Sequence, residues 1–227
     1  GWPQAKVLAD AIGAKVVEVA REEQSSWRLP LDRLEQAITP TTRMIFLTNP
    51  NNPTGDMLDA SELSRIVAMA DRVGAWLLVD EVYAGLEWDG PRAPSVAGMY
   101  ARGITTGSVS KALGLQGLRT GWIICPDAGL VHDAVILREN SSEIMNIMGE
   151  VISEIALRPD RYAAAMKTAR RDGRDGTTCG ACQPLGAVVG CGPCLAYFGV
   201  DWYCAVGFCQ WLVFMIITWH SMNSFSL

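Results

Sequence analysis

The strongest constraint on the fold is an alternation in which a short apolar run ends on polar or turn residues and a segment of helical period follows. Met44-Ile45-Phe46-Leu47 is stopped by the dense turn signal Asn49-Pro50-Asn51-Asn52-Pro53-Thr54-Gly55. Ser61 to Val73 then repeats apolar residues at helical spacing (Leu63, Ile66, Val67, Met69, Ala70), with Ser61 as the expected N-cap and Gly74 as the stop. Trp76-Leu77-Leu78-Val79 returns to strand and ends on Asp80, and Ile104 to Gly107 and Thr120 to Ile124 are two further strands flanking Lys111. Strands and helices in alternation, with polar residues at the strand ends, predict an α/β sheet that gathers ligands at its carboxyl edge.

The remaining elements follow the same reasoning. Residues 4 to 12 read as a helix ending near Gly13, and the β-branched Lys15 to Ala20 segment reads as a strand. Helices are expected over Pro30 to Ile38, Asp127 to Leu137 and Ser142 to Leu157. Arg158-Pro159-Asp160 marks a stop and restart before Arg161 to Arg171. No internal repeat is visible before residue 176.

Charge narrows the classes of partner. The 227 residues carry a net charge of -5, with a pI near 5.1 and no basic run, which argues against nucleic-acid binding. Gly1-Trp2-Pro3-Gln4-Ala5-Lys6 lacks the pattern of a secretory signal, so a cytoplasmic setting is expected. Residues 177 to 227 hold one acidic residue, Asp201, and no Lys or Arg, and six of the seven cysteines lie between Cys179 and Cys209. A folded surface needs charge spread along the chain, which puts a boundary at residue 176.

Three blocks carry chemistry: Asn49 to Gly55, Asp80-Glu81-Val82-Tyr83, and Ser108-Val109-Ser110-Lys111 followed by Gly117-Leu118-Arg119-Thr120-Gly121. A lysine after a Ser-x-Ser turn at a strand end condenses with an aldehyde once its amine is neutral. Each residue also has a plainer explanation. Lys111 is compatible with a solvated surface position, Asp80 with a turn, Asn52 with a tight turn and Tyr83 with a half-buried core. Arg119 fits a surface ion pair, and Ser108 and Ser110 fit turn hydroxyls. His132 lies on an expected helix, and no motif connects it with the blocks.

In this order and spacing the three blocks resemble the class I/II, fold-type I aminotransferases, over about residues 1 to 172. The resemblance implies a three-layer sandwich around a mostly parallel sheet, with pyridoxal 5′-phosphate (PLP) as cofactor. By the same resemblance, Lys111 anchors PLP and acts as general base, and Asp80 pairs with the pyridine nitrogen. Asn52 and Tyr83 meet the phenolic oxygen, while Ser108, Ser110 and Arg119 hold the phosphate. Amino-acid and 2-oxo-acid substrates and a homodimer are implied as well. A β-lyase, a cyclising enzyme or an amino-acid oxidase on the same scaffold would share these cofactor residues, and a non-catalytic fragment is a further alternative.

Departures from the family shape the domain expectation: a cofactor-binding core over 1–140, an interdomain helix and the start of a small domain over 141–176, and an atypical tail over 177–227. The resembled enzymes begin before the position aligned with Gly1, so a phosphate-binding loop and a ring-stacking aromatic are expected to be missing, and Trp2 lies just beyond the aromatic's position. The small domain is expected to be largely missing, since nothing after residue 176 offers its substrate-binding arginine, and activity is expected to be impaired. Three readings of the tail stand: a zinc site from Cys179-Gly180-Ala181-Cys182 and Cys191-Gly192-Pro193-Cys194, a membrane helix over Tyr203 to Trp219, and out-of-frame translation. The abrupt loss of charge favours the last, and membrane association is not expected.

Overall fold

A computed structural model of the chain describes residues 3–87, 90–141 and 146–178. Its centre is a four-stranded sheet in the order β1 (Met44–Thr48), β2 (Trp76–Asp80), β3 (Gly103–Ser108) and β4 (Gly121–Ile124). The first three strands are parallel, and β4 runs antiparallel to β3. The helices are α1 (Pro3–Ala11), α2 (Leu31–Ala37), α3 (Ala60–Val73), α4 (Ala128–Ser141), α5 (Ile147–Leu157) and α6 (Pro159–Thr178). The mostly parallel α/β architecture expected from the sequence is the one observed.

Burial on both faces explains the composition of the strands. Trp76, Leu77, Leu78 and Val79 are all buried, and alternate residues face opposite layers. Leu77 and Val79 join Ile45 and Leu47 of β1 beneath Leu63, Ile66, Met69 and Ala70 of α3. On the other face Trp76, Leu78 and Ile104 pack with Leu130 of α4. The α3 crossover thus returns the chain to a strand parallel to β1 and covers one face in doing so.

The expected N-cap of α3 is corrected by the structure. Asp59, not Ser61, caps the helix: its Oδ1 accepts from the backbone N–H groups of Ser61 and Glu62, both at 2.8 Å. Glu62 completes a reciprocal capping box by accepting from the Asp59 N–H at 2.8 Å. Ser61 instead sits inside the first turn, with its hydroxyl on Asp59 Oδ1 at 2.7 Å. Gly74 closes the helix in the left-handed region, φ 66°, a conformation that glycine adopts without a Cβ penalty.

Lys15 to Ala20 also departs from expectation, since no strand forms there. β-branched residues make a strand only where a ladder partner exists. Here Val17 is 58% exposed, and Val19 only packs against the edge of the core. At the other end of the sheet, Gly107 is dictated by contact: a Cβ would lie 2.6 Å from the Trp122 indole of the neighbouring strand.

The 141–176 region contributes α5 and α6, which contact one another. Most of the tail, including both C-x-x-C elements and Tyr203 to Trp219, lies outside the described residues. Among the described residues no helix is long and apolar enough to cross a membrane.

The capping geometry predicts that Asp59→Ala lowers the urea midpoint of the chain, because two helix-start N–H groups lose their acceptor. Ser61→Ala should leave the midpoint much closer to that of the unaltered chain. The reverse order in equilibrium urea melts would mean that the cap is wrongly assigned.

Candidate active site

The site is built at the carboxyl ends of the strands. β1 runs into Asn49, whose backbone N–H donates to the Asp80 carbonyl at 3.0 Å and extends the ladder by one residue. The Asn49 side chain is fully buried; its Nδ2 donates to the Pro94 carbonyl at 3.1 Å and its Oδ1 accepts from Leu58 N–H at 3.0 Å. This clamp ties the 49–55 loop to the loop after β2. The loop contains two cis peptide bonds, Asn49-Pro50 and Asn52-Pro53.

That loop presents Asn52, whose Nδ2 donates to Tyr83 Oη at 3.2 Å. Residues 31 apart in sequence are therefore joined at one place. Tyr83 follows the end of β2, and the Lys111 Nζ lies 5.9 Å from its ring centroid. Burial pushes the Tyr83 phenol upward from its usual pKa, and the nearby Asp80 charge pushes in the same direction.

Asp80 ends β2, and its Oδ1 accepts from the Thr106 hydroxyl at 2.9 Å and from Val82 N–H at 3.3 Å. Burial pushes its pKa up to about 6, against the opposing pull of the Thr106 hydroxyl, the Val82 N–H and the Lys111 charge. Its neighbour Glu81 faces differently: Oε1 accepts from Val96 N–H at 3.2 Å and from the Thr105 hydroxyl at 3.3 Å. Burial raises the Glu81 pKa too. Its bonds make it a latch for the 92–96 loop.

After β3 the chain makes the turn that carries Lys111. Ser108 Oγ accepts from Ser110 N–H at 3.2 Å, so Ser108 shapes this turn while Ser110 takes part through its backbone. Gly114 N–H donates to the Lys111 carbonyl at 3.2 Å, and Leu115 N–H to that of Val109 at 3.1 Å. Arg119 lies further along, exposed and in the left-handed region at φ 53°, with Nη1 donating to the Gln116 carbonyl at 3.3 Å. The structure therefore brings Asn52, Tyr83, Asp80 and Lys111 together, places Ser108 and Ser110 in the Lys111 turn, and sets Arg119 at the exposed end of a 3-10 turn, Gln116–Leu118.

A cavity of about 220 Å³ adjoins this cluster, with Val82, Ser108, Ala112, Arg92, Trp122 and Tyr162 among its walls. A larger one, about 400 Å³, lies between residues 29–33 and the first two turns of α3 and includes none of the motif residues. Its Arg33 and Arg65 are engaged in ion pairs with Glu22 and Asp32. The smaller cavity has Ser108 and Glu81 of the motif blocks among its walls.

Sequence reasoning missed Thr106, Asn49 and the latch role of Glu81. For Thr106 the missing information was register: it faces Asp80 only because β2 and β3 pair in parallel with Asp80 opposite Thr106. Asn49 was visible as part of a turn cluster, but its burial depends on Pro94, 45 residues away.

A mostly parallel α/β sheet with an amine, a carboxylate, a phenol and an amide gathered beyond its strand ends is an arrangement suited to a small polar ligand. Over residues 1–175 the chain matches the family described as aminotransferase class I and II, and it belongs to that family. It is 33% identical over 163 residues to aromatic-amino-acid aminotransferase 2 of Thermococcus litoralis, covering 70% of this chain and 42% of that one. Histidinol-phosphate aminotransferase of Cereibacter sphaeroides is 38% identical over 130 residues, or 56% of this chain and 34% of that one. Among solved structures, a PLP-dependent aminotransferase from Streptococcus suis superposes with a TM-score of 0.68 at 30% identity, covering 74% of this chain and 43% of the other. A Thermus thermophilus aspartate aminotransferase mutant, at 23% identity and TM-score 0.72 over 77% of this chain and 46% of that one, shares the fold. The chain spans less than half the length of these relatives.

The raised Asp80 pKa has a consequence for stability. Between the ordinary carboxylate pKa near 4 and about 6, the folded chain holds a proton that the unfolded chain has released, so stability falls as pH rises through that window and then levels off. Ionised Asp80 costs on the order of 3 kcal/mol by this linkage. Asp80→Asn should therefore raise the urea midpoint of the cofactor-free chain at pH 8 and remove this part of the slope between pH 4 and 6. A variant less stable than the unaltered chain at pH 8 would contradict the assignment.

Proposed function

We propose that this chain is the cofactor-binding core of a PLP-dependent aminotransferase that moves an amino group between an amino acid and a 2-oxo acid. The observation that carries the reading is the meeting of Asn52, Tyr83, Asp80 and Lys111 from three separate chain segments. The donor set fits the group: a carboxylate suits a ring N–H, a phenol and amide suit a phenolic oxygen, and a primary amine suits an aldehyde carbon. When bound, PLP supplies an electron sink for the pair left behind as a substrate loses its α-proton.

The chain's residues divide the remaining work. Asp80, when ionised, would keep a proton on the ring nitrogen, and Asn52 and Tyr83 would orient the phenolic edge. Lys111 would hold the aldehyde carbon, and its amine, once free, would carry the substrate α-proton as general base. Ser108, Ser110 and Arg119 are assigned to the phosphate, where a guanidinium and turn donors suit its oxygens. A homodimer, which rests on family resemblance, and a cytoplasmic setting complete the proposal.

Absorbance of the purified chain with added PLP tests the reading. A visible band that disappears in Lys111→Ala is expected. Adding an amino acid should convert the cofactor to its amine form, and a 2-oxo acid should convert it back. A band indifferent to Lys111 would overturn the cofactor assignment, and ammonia release without 2-oxo-acid dependence would point to lyase chemistry.

A further inference from the structure

Thr106 has no part in the motifs, yet it is 1% exposed and its hydroxyl spends its hydrogen bond on the site carboxylate at 2.9 Å. It comes from β3, the strand that leads into Ser108 and Lys111, and stands opposite Asp80 in the parallel register. The hydroxyl and the Val82 N–H both meet Oδ1, which leaves Oδ2 without either donor. We infer that Thr106 is a positioning residue that fixes the Asp80 carboxylate, holds it in the ionised form and reserves Oδ2 for the N–H of a pyridinium ring. The inference rests on the PLP reading above and extends it to a residue outside the motifs.

The physical argument is a competition at one carboxylate. Desolvation favours the neutral acid, while a donor aimed at Oδ1 favours the anion, and only the anion keeps the ring nitrogen protonated. Among the described residues the groups acting on Asp80 are few. Lys111 supplies a positive charge from the turn after β3, Tyr83 follows Asp80 on its own segment, and Val82 supplies an N–H. Thr48 of β1 stands opposite Asp80 on the other side and carries no charge. Of these, Thr106 is the donor held by a separate strand, so its geometry does not depend on how the loop after β2 is arranged.

Thr106→Val keeps the branched shape and deletes the hydroxyl, Thr106→Ser keeps the hydroxyl, and Thr106→Ala is a second deletion should valine pack badly. Carboxyl ¹³C titration of the cofactor-free full chain should show the Asp80 midpoint raised by about one pH unit in the valine or alanine variant and restored by serine. With PLP added, the same deletions should move the pH midpoint of the Lys111-dependent band in parallel. A merely structural threonine would lower the melting temperature and leave both midpoints in place. An unshifted Asp80 titration in a folded deletion variant overturns the inference alone. Absence of a Lys111-dependent band in the unaltered chain overturns the cofactor reading, whatever the titration shows.

Discussion

The site depends on a carboxylate held at the end of a strand whose four preceding residues are buried. The packing that makes β2 an inner strand of the sheet also leaves Asp80 half-buried at its end, and the two effects have one cause. A strand covered on both faces needs Trp76, Leu77, Leu78 and Val79, and a charge placed immediately after them inherits their dry surroundings. The sheet and the site are therefore the same structure seen at two positions along it.

Two consecutive acids divide between two tasks because a strand alternates its side chains. Asp80 and Glu81 point to different sides, and the consecutive Thr105 and Thr106 of β3 alternate in step with them. Thr106 donates to Asp80 and Thr105 to Glu81, so one pair of threonines serves a site carboxylate and a structural one. Glu81 also takes the Val96 N–H, which binds the loop between β2 and β3 to the sheet. Exchanging the two acids' roles would require a shift in register, and a shift of one residue would turn every buried side chain of β2 to the wrong face.

Most of the fold was legible because it is written in local patterns. Apolar runs of four residues marked β1 and β2, the strand pattern of Thr120 to Ile124 marked β4, and the helical period marked α3. What local patterns cannot carry is pairing. Lys15 to Ala20 has strand composition without a strand, since composition does not supply a neighbour. Ser61 looked like a cap, but Asp59 two residues earlier has the carboxylate that reaches both N–H groups. In the site, Lys111, Asp80, Asn52 and Tyr83 were found through motif order, whereas Thr106 becomes visible only once parallel register sets it opposite Asp80.

The buried carboxylate also says what kind of group the site is built to receive. Ionised Asp80 is destabilising in the cofactor-free chain, and the cation whose charge acts on it, Lys111, offsets that cost less than burial creates it. A cationic ring N–H at Oδ2 would add the missing counter-charge at hydrogen-bond distance, where a low-dielectric setting makes it most effective. By linkage, whatever free energy that contact contributes to binding also stabilises the folded chain over the unfolded one. Burial that disfavours the lone carboxylate anion thus strengthens its preference for a positively charged ring, and Thr106 keeps enough of the carboxylate ionised for that preference to operate near neutral pH.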